Sequence, residues 1–169
     1  QNLLPANCTV YSYITERNGK KIAQTKEQAL SLGVNAKGTV NQKINISNPH
    51  LWSLDDPQLY RAVTVIKSGN TIVEKVTTRF GIRTIRFDAN DGFFLNEKFL
   101  KLQGTNNHQD HAGVGSALPD YLQYYRINLL KEMGVNAYRA SHNAPTPELL
   151  DACDSLGMLV LDEQRLLNS

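Results

Sequence analysis

The stretch of the chain that is richest in reactive side chains is GTNNHQDHAG, residues 104–113. His108, Asp110 and His111 lie close enough together in sequence to suggest ligands of a transition metal. A loop does not fix ligand geometry as two histidines one turn apart on a helix do, so the pattern is weak for a metal and none is predicted. A catalytic loop, a sugar-binding loop and a polar turn are the other interpretations.

Two further polar clusters follow apolar segments of the chain. Arg139, Ser141 and His142 come after VNAY, and Asp162 with Glu163 comes after MLVL. Adjacent strand residues point to opposite faces, so Ser141 and His142 are not expected to form a nucleophile–base pair. For the same reason Asp162 and Glu163 do not flank one glycosidic bond, and one of them is expected to face a site. This mixture of hydrogen-bonding groups suits the hydroxyls of a sugar.

The elements that position these clusters change in character near residue 88. Before it, alternating apolar residues and turns at Asn18-Gly19 and at residues 68–70 predict antiparallel strands. The segment GTVNQKINISNP predicts another strand, and Trp52 is expected to pack with them. The fold class is therefore multidomain, β plus α/β, with an immunoglobulin-like β-sandwich over residues 1–88. Five or six strands, where about seven are usual, suggest that the first strand precedes the chain.

Residues 89–169 predict the order β-α-β-α-β. The first strand is expected at about Phe99–Gln103, and the helix in PDYLQYYRINLLKEMG shows apolar residues at helical spacing. Thr146 and Pro147 open the second helix and Gly157 ends it. Parallel strands end on one side of their sheet, so three polar strand ends predict a site there. Three strands do not close an eight-stranded barrel, so this part is expected to be the start of a longer domain.

Composition excludes several classes of partner and cofactor. Lysine and arginine number 18 and aspartate and glutamate 16, a balance that does not favour nucleic acid or an anionic membrane. No apolar run is long enough to span a membrane, and no G-x-G-x-x-G follows a predicted strand. Cys8 and Cys153 are too few and too distant for a disulfide framework and are expected to be free. The start QNLLPANCTV lacks a signal-peptide pattern, and the compartment is not indicated.

Four segments together resemble glycoside hydrolase family 2, the β-galactosidases and β-glucuronidases. They are NPHLWSLDDPQLY, RFGIRTIRF, GFFLNEKFLKLQGTNNHQDH and the stretch from NAYRASHN to GMLVLDE. The family's signature is matched in spacing from Asn136 to Leu161 and departs at Asn143 and Ala144, where Tyr-Pro is usual. The resemblance implies a jelly-roll domain, an immunoglobulin-like sandwich and a (β/α)8 barrel. This chain would hold most of the sandwich and the first three β/α units of an incomplete TIM barrel.

The resemblance implies a retaining exo-β-glycosidase, β-galactosidase in the first place, that hydrolyses terminal β-linked sugars. A β-glucuronidase of the same family and a non-catalytic sandwich or binding module are the alternatives. The family's two catalytic glutamates belong to the fourth and seventh barrel strands, so this chain is expected to hold neither and to be inactive by itself. The residues expected to bind substrate are His108, Arg139, His142, Asp162 and Glu163.

The expected partners follow from the same resemblance. A carbohydrate substrate is expected for the intact enzyme, with no nucleic acid and no membrane. No cofactor is expected in this chain, and a divalent metal is left open for the intact enzyme. The apolar strand MLVL would present an unpaired edge, which predicts a homo-oligomer or edge-strand pairing.

Overall fold

The computed structural model describes residues 4–163, which form two compact units. The first unit contains the chain up to His50 together with Leu59–Phe80. The second contains Leu51–Gln58 together with the chain from Gly81 onward. The short segment between the two parts of the first unit therefore belongs to the second unit.

The first unit is built on one antiparallel sheet of five strands. They are β1 (Ala6–Thr15), β2 (Lys21–Gln24), β3 (Gln28–Leu32), β4 (Tyr60–Ser68) and β5 (Thr71–Phe80). β1 pairs with β2 and β3 along one edge and with β4 along the other, and β5 lies beyond β4. Both predicted hairpin turns are confirmed. Gly19 and Gly69 have φ angles of 89° and 57°, which glycine adopts at no steric cost.

The strand predicted in GTVNQKINISNP is wrong, because residues 38–49 form no strand. The alternation itself is real, since Val40, Gln42 and Ile44 are half-buried and their neighbours are exposed. Gln42 binds β1 through its side chain. Its Nε2 donates to the carbonyl of Val10 (3.1 Å) and its Oε1 accepts from Ser12 Oγ (2.8 Å). An alternating pattern reports which side chains face the core, whereas a strand also needs a neighbouring backbone to pair with.

The second unit begins with a small antiparallel sheet and continues with a parallel one. The antiparallel strands are β6 (Ile85–Asp88), β7 (Gly92–Leu95) and β8 (Lys98–Phe99). The parallel part consists of β9 (Gly104–Asn107), α1 (Asp120–Glu132), β10 (Ala137–Ala140), α2 (Pro147–Leu156) and β11 (Leu159–Leu161). β10 lies between β9 and β11, which confirms the predicted order β-α-β-α-β. Neither helix is long and apolar enough to cross a membrane.

The first parallel strand was predicted at Phe99–Gln103 and instead begins at Gly104. Just before Gly104, the side chain of Asn136 hydrogen-bonds to the backbone of residues 101 and 103. Its Oδ1 accepts from the amide of Gln103 (2.8 Å) and its Nδ2 donates to the carbonyl of Lys101 (2.9 Å). A Cβ on Gly104 would lie 2.7 Å from the carbonyl oxygen of Ala137, so the ladder begins where the backbones come closest.

The helices pack on the parallel sheet through a core that lies in the second unit. The seven buried residues of that core are Ile127, Tyr138, Ala140, Leu149, Ala152, Cys153 and Met158. α1 is confirmed as a helix, but its buried residues are Leu122, Gln123 and Ile127. Tyr125 and Met133, which helped to indicate the helix, are 52% and 74% exposed. Apolar spacing thus identified the helix without identifying the side that meets the core.

Trp52 anchors the segment Leu51–Gln58 to the second unit, whereas the sequence predicted it to pack with the sandwich strands. Its side chain is 2% exposed, and its Nε1 donates to the carbonyl of Asp154 at the end of α2 (2.8 Å). Its amide donates to the carbonyl of Ile82 (2.8 Å), and its carbonyl accepts from Asn96 Nδ2 (2.9 Å). All three polar groups of this residue are therefore satisfied within one unit.

The same segment is also held at the ends of both helices. Lys131 Nζ, in the last turn of α1, donates to the carbonyls of Leu54 (2.7 Å) and Gly157 (3.0 Å). Partial burial lowers the pKa of Lys131 below its ordinary value, against the opposing effect of the Asp55 charge. Gly157 ends α2 with a φ of 77°, and a Cβ there would lie 2.2 Å from the carbonyl oxygen of Leu54.

This contact predicts the effect of Gly157→Ala on stability. Gly134 is the matched control, since its φ is 84° but a Cβ there would meet nothing within 4 Å. Gly134→Ala is expected to lower the free energy of unfolding by about 1–2 kcal/mol, the cost of a left-handed alanine. Gly157→Ala adds a steric clash and is expected to lower it by about 2–5 kcal/mol. Urea denaturation measures both, and equal losses would contradict the close contact with Leu54.

Candidate functional site

The parallel sheet brings the three predicted polar clusters to one edge. The register pairs Arg139 on β10 with Asn106 on β9 and with Leu161 on β11. Because the three strands run in the same direction, residues at their carboxyl ends lie beside one another. Glu163 follows two residues after the end of β11 and therefore reaches the same edge.

The carboxylate of Glu163 connects two of the predicted residues. Its Oε1 lies 2.5 Å from Nδ1 of His142, and its Oε2 lies 2.8 Å from Nη2 of Arg139. Nη1 of Arg139 donates to Oδ1 of Asn106 (3.2 Å). Four side chains from all three strand ends thus form one continuous network of polar contacts, Asn106–Arg139–Glu163–His142.

His108 adjoins this network because its ring contacts the ring of His142. Its imidazole meets that of His142 edge to face, with ring centroids 5.7 Å apart and planes at 85°. Arg126 of α1 holds the loop that carries His108. Its Nη2 donates to the carbonyl of His108 (2.7 Å) and its Nη1 to that of Gln109 (3.3 Å). The two histidines are therefore brought together by a helix side chain as well as by the strands.

Glu163 is the least exposed of the three titratable side chains in the network, and its pKa is shifted by the other two. The side chain of Glu163 is 25% exposed, whereas those of Arg139 and His142 are 40% and 59% exposed. The hydrogen bond from His142 holds the pKa of the Glu163 carboxyl below its ordinary value, and the Arg139 charge lowers it further, while burial opposes both. A general acid needs the opposite shift, so Glu163 does not suit that role. Its Oε1 is hydrogen-bonded to His142, whereas its buried Oε2 faces Arg139 in an ion pair and has no hydrogen-bond partner among the described residues.

Two neighbouring residues stay outside the network. Asp162 is exposed and, within residues 4–163, joins none of these contacts, so of the two adjacent carboxylates only Glu163 belongs to the network. Ser141 is 2% exposed, and its Oγ has no hydrogen-bond partner among the described residues. Its amide donates to the carbonyl of Asn107 (3.0 Å), so it contributes backbone to the site edge.

The residues that suggested a metal do not assemble. Within the described part of the chain, no group of three histidine, cysteine or carboxylate side chains is arranged to hold an ion. Nδ1 of His111 lies 3.0 Å from the carbonyl oxygen of Ala112, and its backbone forms a bridge with Gly115. Both cysteines are free, and burial raises the pKa of the Cys153 thiol to about 12.

Sequence reasoning missed two members of this arrangement. Asn106 was predicted only as part of the polar stretch that follows the first strand, with no role of its own, and the register of β9 with β10 shows that it pairs with Arg139. Arg126 carried no signal, because an arginine within a helix usually indicates a solvated surface. The pairing of Asn106 was missed because the first strand was predicted to end before it. The role of Arg126 was missed because the two carbonyls that it binds lie 17 and 18 residues away in sequence.

Comparison with known proteins identifies the family. Residues 2–83 match the sequence model of glycosyl hydrolases family 2, and residues 88–168 match that of the family's TIM barrel domain. The chain therefore belongs to glycosyl hydrolases family 2. It contains the family's sandwich domain followed by the start of its TIM-barrel domain.

Named relatives and solved structures agree with this assignment. Over 93% of this chain, the sequence is 36% identical to a β-galactosidase of Bacteroides ovatus. Over 86% of this chain, it is 38% identical to a putative β-glucuronidase of Formosa agariphila. A family 2 member from Bacteroides cellulosilyticus superposes with a TM-score of 0.90 at 37% identity over 96% of this chain and 21% of that one. The chain spans only 18% and 14% of the lengths of the two named relatives.

The contacts of Glu163 predict how its carboxyl titrates. We expect the side-chain carboxyl carbon to report a pKa below the usual value of about 4.3. His142→Ala removes the hydrogen bond that lowers the Glu163 pKa most, so this variant should raise that pKa clearly. Arg139→Gln removes a smaller contribution and should raise it less. Because the folded-state pKa is lowered, the stabilisation is present above the unfolded-state value and is lost as pH falls through the folded-state value.

A carbon-detected NMR titration of labelled protein measures these shifts. His111→Ala is the matched control, since that ring does not contact Glu163 and should leave its titration unchanged. A Glu163 pKa that does not respond to His142→Ala would contradict the hydrogen bond.

Proposed function

We propose that the chain is part of a retaining exo-β-glycosidase, a β-galactosidase in the first place, that hydrolyses terminal β-linked sugars. The observation that carries the proposal is the Asn106–Arg139–Glu163–His142 network at the carboxyl ends of three parallel strands. Active sites of barrels built from β/α units lie at that end. The names of the family relatives support the same class of reaction.

The finer architecture is part of this proposal. The antiparallel sheet β1–β5 would belong to an immunoglobulin-like sandwich whose first strand precedes β1. The strands β9, β10 and β11 would be the first three of a (β/α)8 barrel. The parallel pairing and the two intervening helices support the barrel assignment, and the two confirmed hairpins support the sandwich.

In the proposed mechanism the residues of this chain bind the sugar and do not break the bond. Glu163 accepts from Nδ1 of His142 and thereby leaves Nε2 for a substrate hydroxyl. Arg139, fixed between Asn106 and Glu163, presents a cation beside the reacting centre, and His108 completes the edge. Asp162 belongs to the proposed set on family resemblance, since its carboxylate lies outside the network.

Cleavage itself requires two other carboxyl groups. Retaining glycosidases place them about 5–5.5 Å apart across the glycosidic bond, one as nucleophile and one as acid and base. Glu163 does not suit the acid and base role, because His142 and Arg139 hold its pKa below the ordinary value. We propose that both catalytic glutamates come from later strands of the enzyme.

A β-glucuronidase of the same family is the second candidate. The observation that favours it is the naming of several relatives, among them the 38% identical protein of Formosa agariphila. A glucuronide differs from a galactoside in carrying a carboxylate, which calls for a cation beside the sugar. Hydrolysis of a nitrophenyl β-glucuronide in preference to the β-galactoside would select this candidate.

Association between copies remains a proposal that rests on β11. Met158 and Leu159 are buried, but Leu161 is 49% exposed. Among the described residues β10 is the only strand that pairs with β11, so its other edge keeps unpaired backbone groups. Such an edge favours pairing with another strand. In the proposed barrel that strand would be the fourth one, so pairing between copies is proposed for the separate 169-residue chain only.

Substitution of His142 tests the proposed site in the full-length enzyme that carries this chain. We expect that enzyme to hydrolyse nitrophenyl β-galactoside with retention of configuration. His142→Ala should lower kcat/KM by about 10- to 100-fold, the value of one or two hydrogen bonds to the substrate. His111→Ala, the same change at a ring bonded to its own loop, should alter it by less than about twofold.

Two results would refute the proposal. One is a full-length enzyme that hydrolyses neither the galactoside nor the glucuronide. The other is a His142→Ala variant whose kcat/KM equals that of the His111→Ala control.

A further inference from the structure

Arg126 lies outside the proposed substrate-binding set, yet it binds the loop that carries one member of that set. Its Nη2 donates to the carbonyl of His108 (2.7 Å), and its Nη1 donates to the carbonyl of Gln109 (3.3 Å). Both acceptors are backbone groups, so these bonds fix the path of the chain rather than one side chain. A planar guanidinium holds its donors in a fixed fork, so the two adjacent carbonyls are held in one orientation.

The loop that follows β9 has no other hydrogen bond to the rest of the described chain. From residue 110 to residue 118 the hydrogen bonds run within the loop, as in the backbone pairing of His111 with Gly115. Most residues of this loop are exposed. A Cβ on Gly113 or Gly115 would meet nothing within 4 Å, so no other element packs against the loop there. Arg126 therefore tethers a loop that is otherwise held only by the strand before it and the helix after it.

The side chain that this tether positions is the imidazole of His108. Within the described chain that ring makes no hydrogen bond, and its ring contact is with His142, 5.7 Å away between centroids. The orientation of His142 is fixed independently, because its Nδ1 is bonded to Glu163. The backbone position of His108 therefore decides where its ring lies relative to His142, and Arg126 holds that backbone.

Arg126 reaches the loop from a well-packed part of α1. Its helix neighbours Gln123 and Ile127 are buried, and Arg126 itself is half-buried. Arg126 lines one small cavity together with Tyr138 of β10. Burial raises the pKa of the Tyr138 hydroxyl and the charge of Arg126 opposes that shift, which agrees with a guanidinium held near the sheet. The tether is therefore anchored to the same strand that carries Arg139.

We propose that Arg126 is a positioning residue that holds His108 in place for the sugar at the strand-end site. The inference rests on the proposed function, in which His108 binds the substrate. Arg126 acts through the backbone of His108 and does not itself contact the substrate. A ring that must meet a sugar hydroxyl at hydrogen-bond distance tolerates little displacement, so loss of the tether weakens the contribution of that ring.

A double-mutant cycle in the full-length enzyme tests this route of action. Arg126→Met keeps an apolar stem and removes both donors. On the nitrophenyl β-glycoside that the enzyme hydrolyses, we expect kcat/KM to fall about tenfold in His108→Ala and about three- to tenfold in Arg126→Met. Arg126→Met introduced into His108→Ala should lower it by less than about twofold, because the ring that it positions is already absent. A residue that only stabilised the fold would lower kcat/KM equally in both backgrounds.

Two further variants separate the hydrogen bonds from general effects. Arg126→Lys keeps a cation with several donors, so it should retain more of the kcat/KM than Arg126→Met does. Arg61→Met is the matched control. Arg61 Nη1 also donates to a backbone carbonyl of another segment, that of Arg17 (2.7 Å), but in the first unit. This control should change kcat/KM by less than about twofold in either background.

NMR of the 169-residue protein with labelled histidines tests the positioning without any assay of activity. In the unaltered chain we expect a nuclear Overhauser effect between ring protons of His108 and His142, since the rings meet edge to face. Arg126→Met should reduce the intensity of that effect at least twofold, and Arg61→Met should leave it unchanged.

Either of two results would overturn the proposal. One is an unchanged Overhauser effect between the two rings in Arg126→Met. The other is an equal loss of kcat/KM on Arg126→Met in the unaltered and the His108→Ala enzymes. An enzyme that hydrolyses neither nitrophenyl glycoside would refute the proposed function instead, and the NMR comparison would still decide whether Arg126 positions His108.

Discussion

The polar network at the carboxyl ends of the parallel strands depends on the carboxylate of Glu163. It lies between one cation and one imidazole, and each of its oxygens contacts one of them. Without it, Arg139 would keep only its bond to Asn106, and His142 would lose the acceptor that fixes its ring. Removing one member of such a network leaves the charge of its partner uncompensated, which is costly where the groups are partly covered.

The other end of the parallel sheet is held by a different set of contacts. The segment with Trp52 and Leu54 packs at the ends of both helices. Trp52 donates to the carbonyl of Asp154, Lys131 donates to that of Leu54, and Gly157 lies too close to Leu54 for a side chain. These contacts lie near the amino ends of the strands, and the polar network lies at their carboxyl ends. The division follows the general rule for β/α folds, in which one end of the sheet serves stability and the other serves chemistry.

The two units differ in how their polar side chains are arranged. In the second unit the Glu163 carboxylate contacts Arg139 and His142 at the carboxyl ends of parallel strands. In the first unit Lys21, Arg61 and Lys75 lie on the same side of the sheet as Tyr11 and Tyr13, and Glu27 pairs with Lys67 beside Tyr11. Both arrangements arise because alternate residues of a strand emerge on opposite faces, so a strand can build a core on one side and a polar surface on the other.

Local sequence determined the elements, and tertiary structure determined their partners. Asn18-Gly19, Thr146-Pro147 and Gly157 set turns and caps through preferences of a few neighbouring residues, so they could be predicted. His142 and Glu163 stood out because both follow apolar strands. Asn106 and Arg126 depended on β-strand register and helix packing, and the burial of Trp52 depended on which unit its segment joined. These three features depend on contacts between segments that are distant in sequence. The preferences of neighbouring residues do not determine which face of α1 or which edge of β9 meets another element.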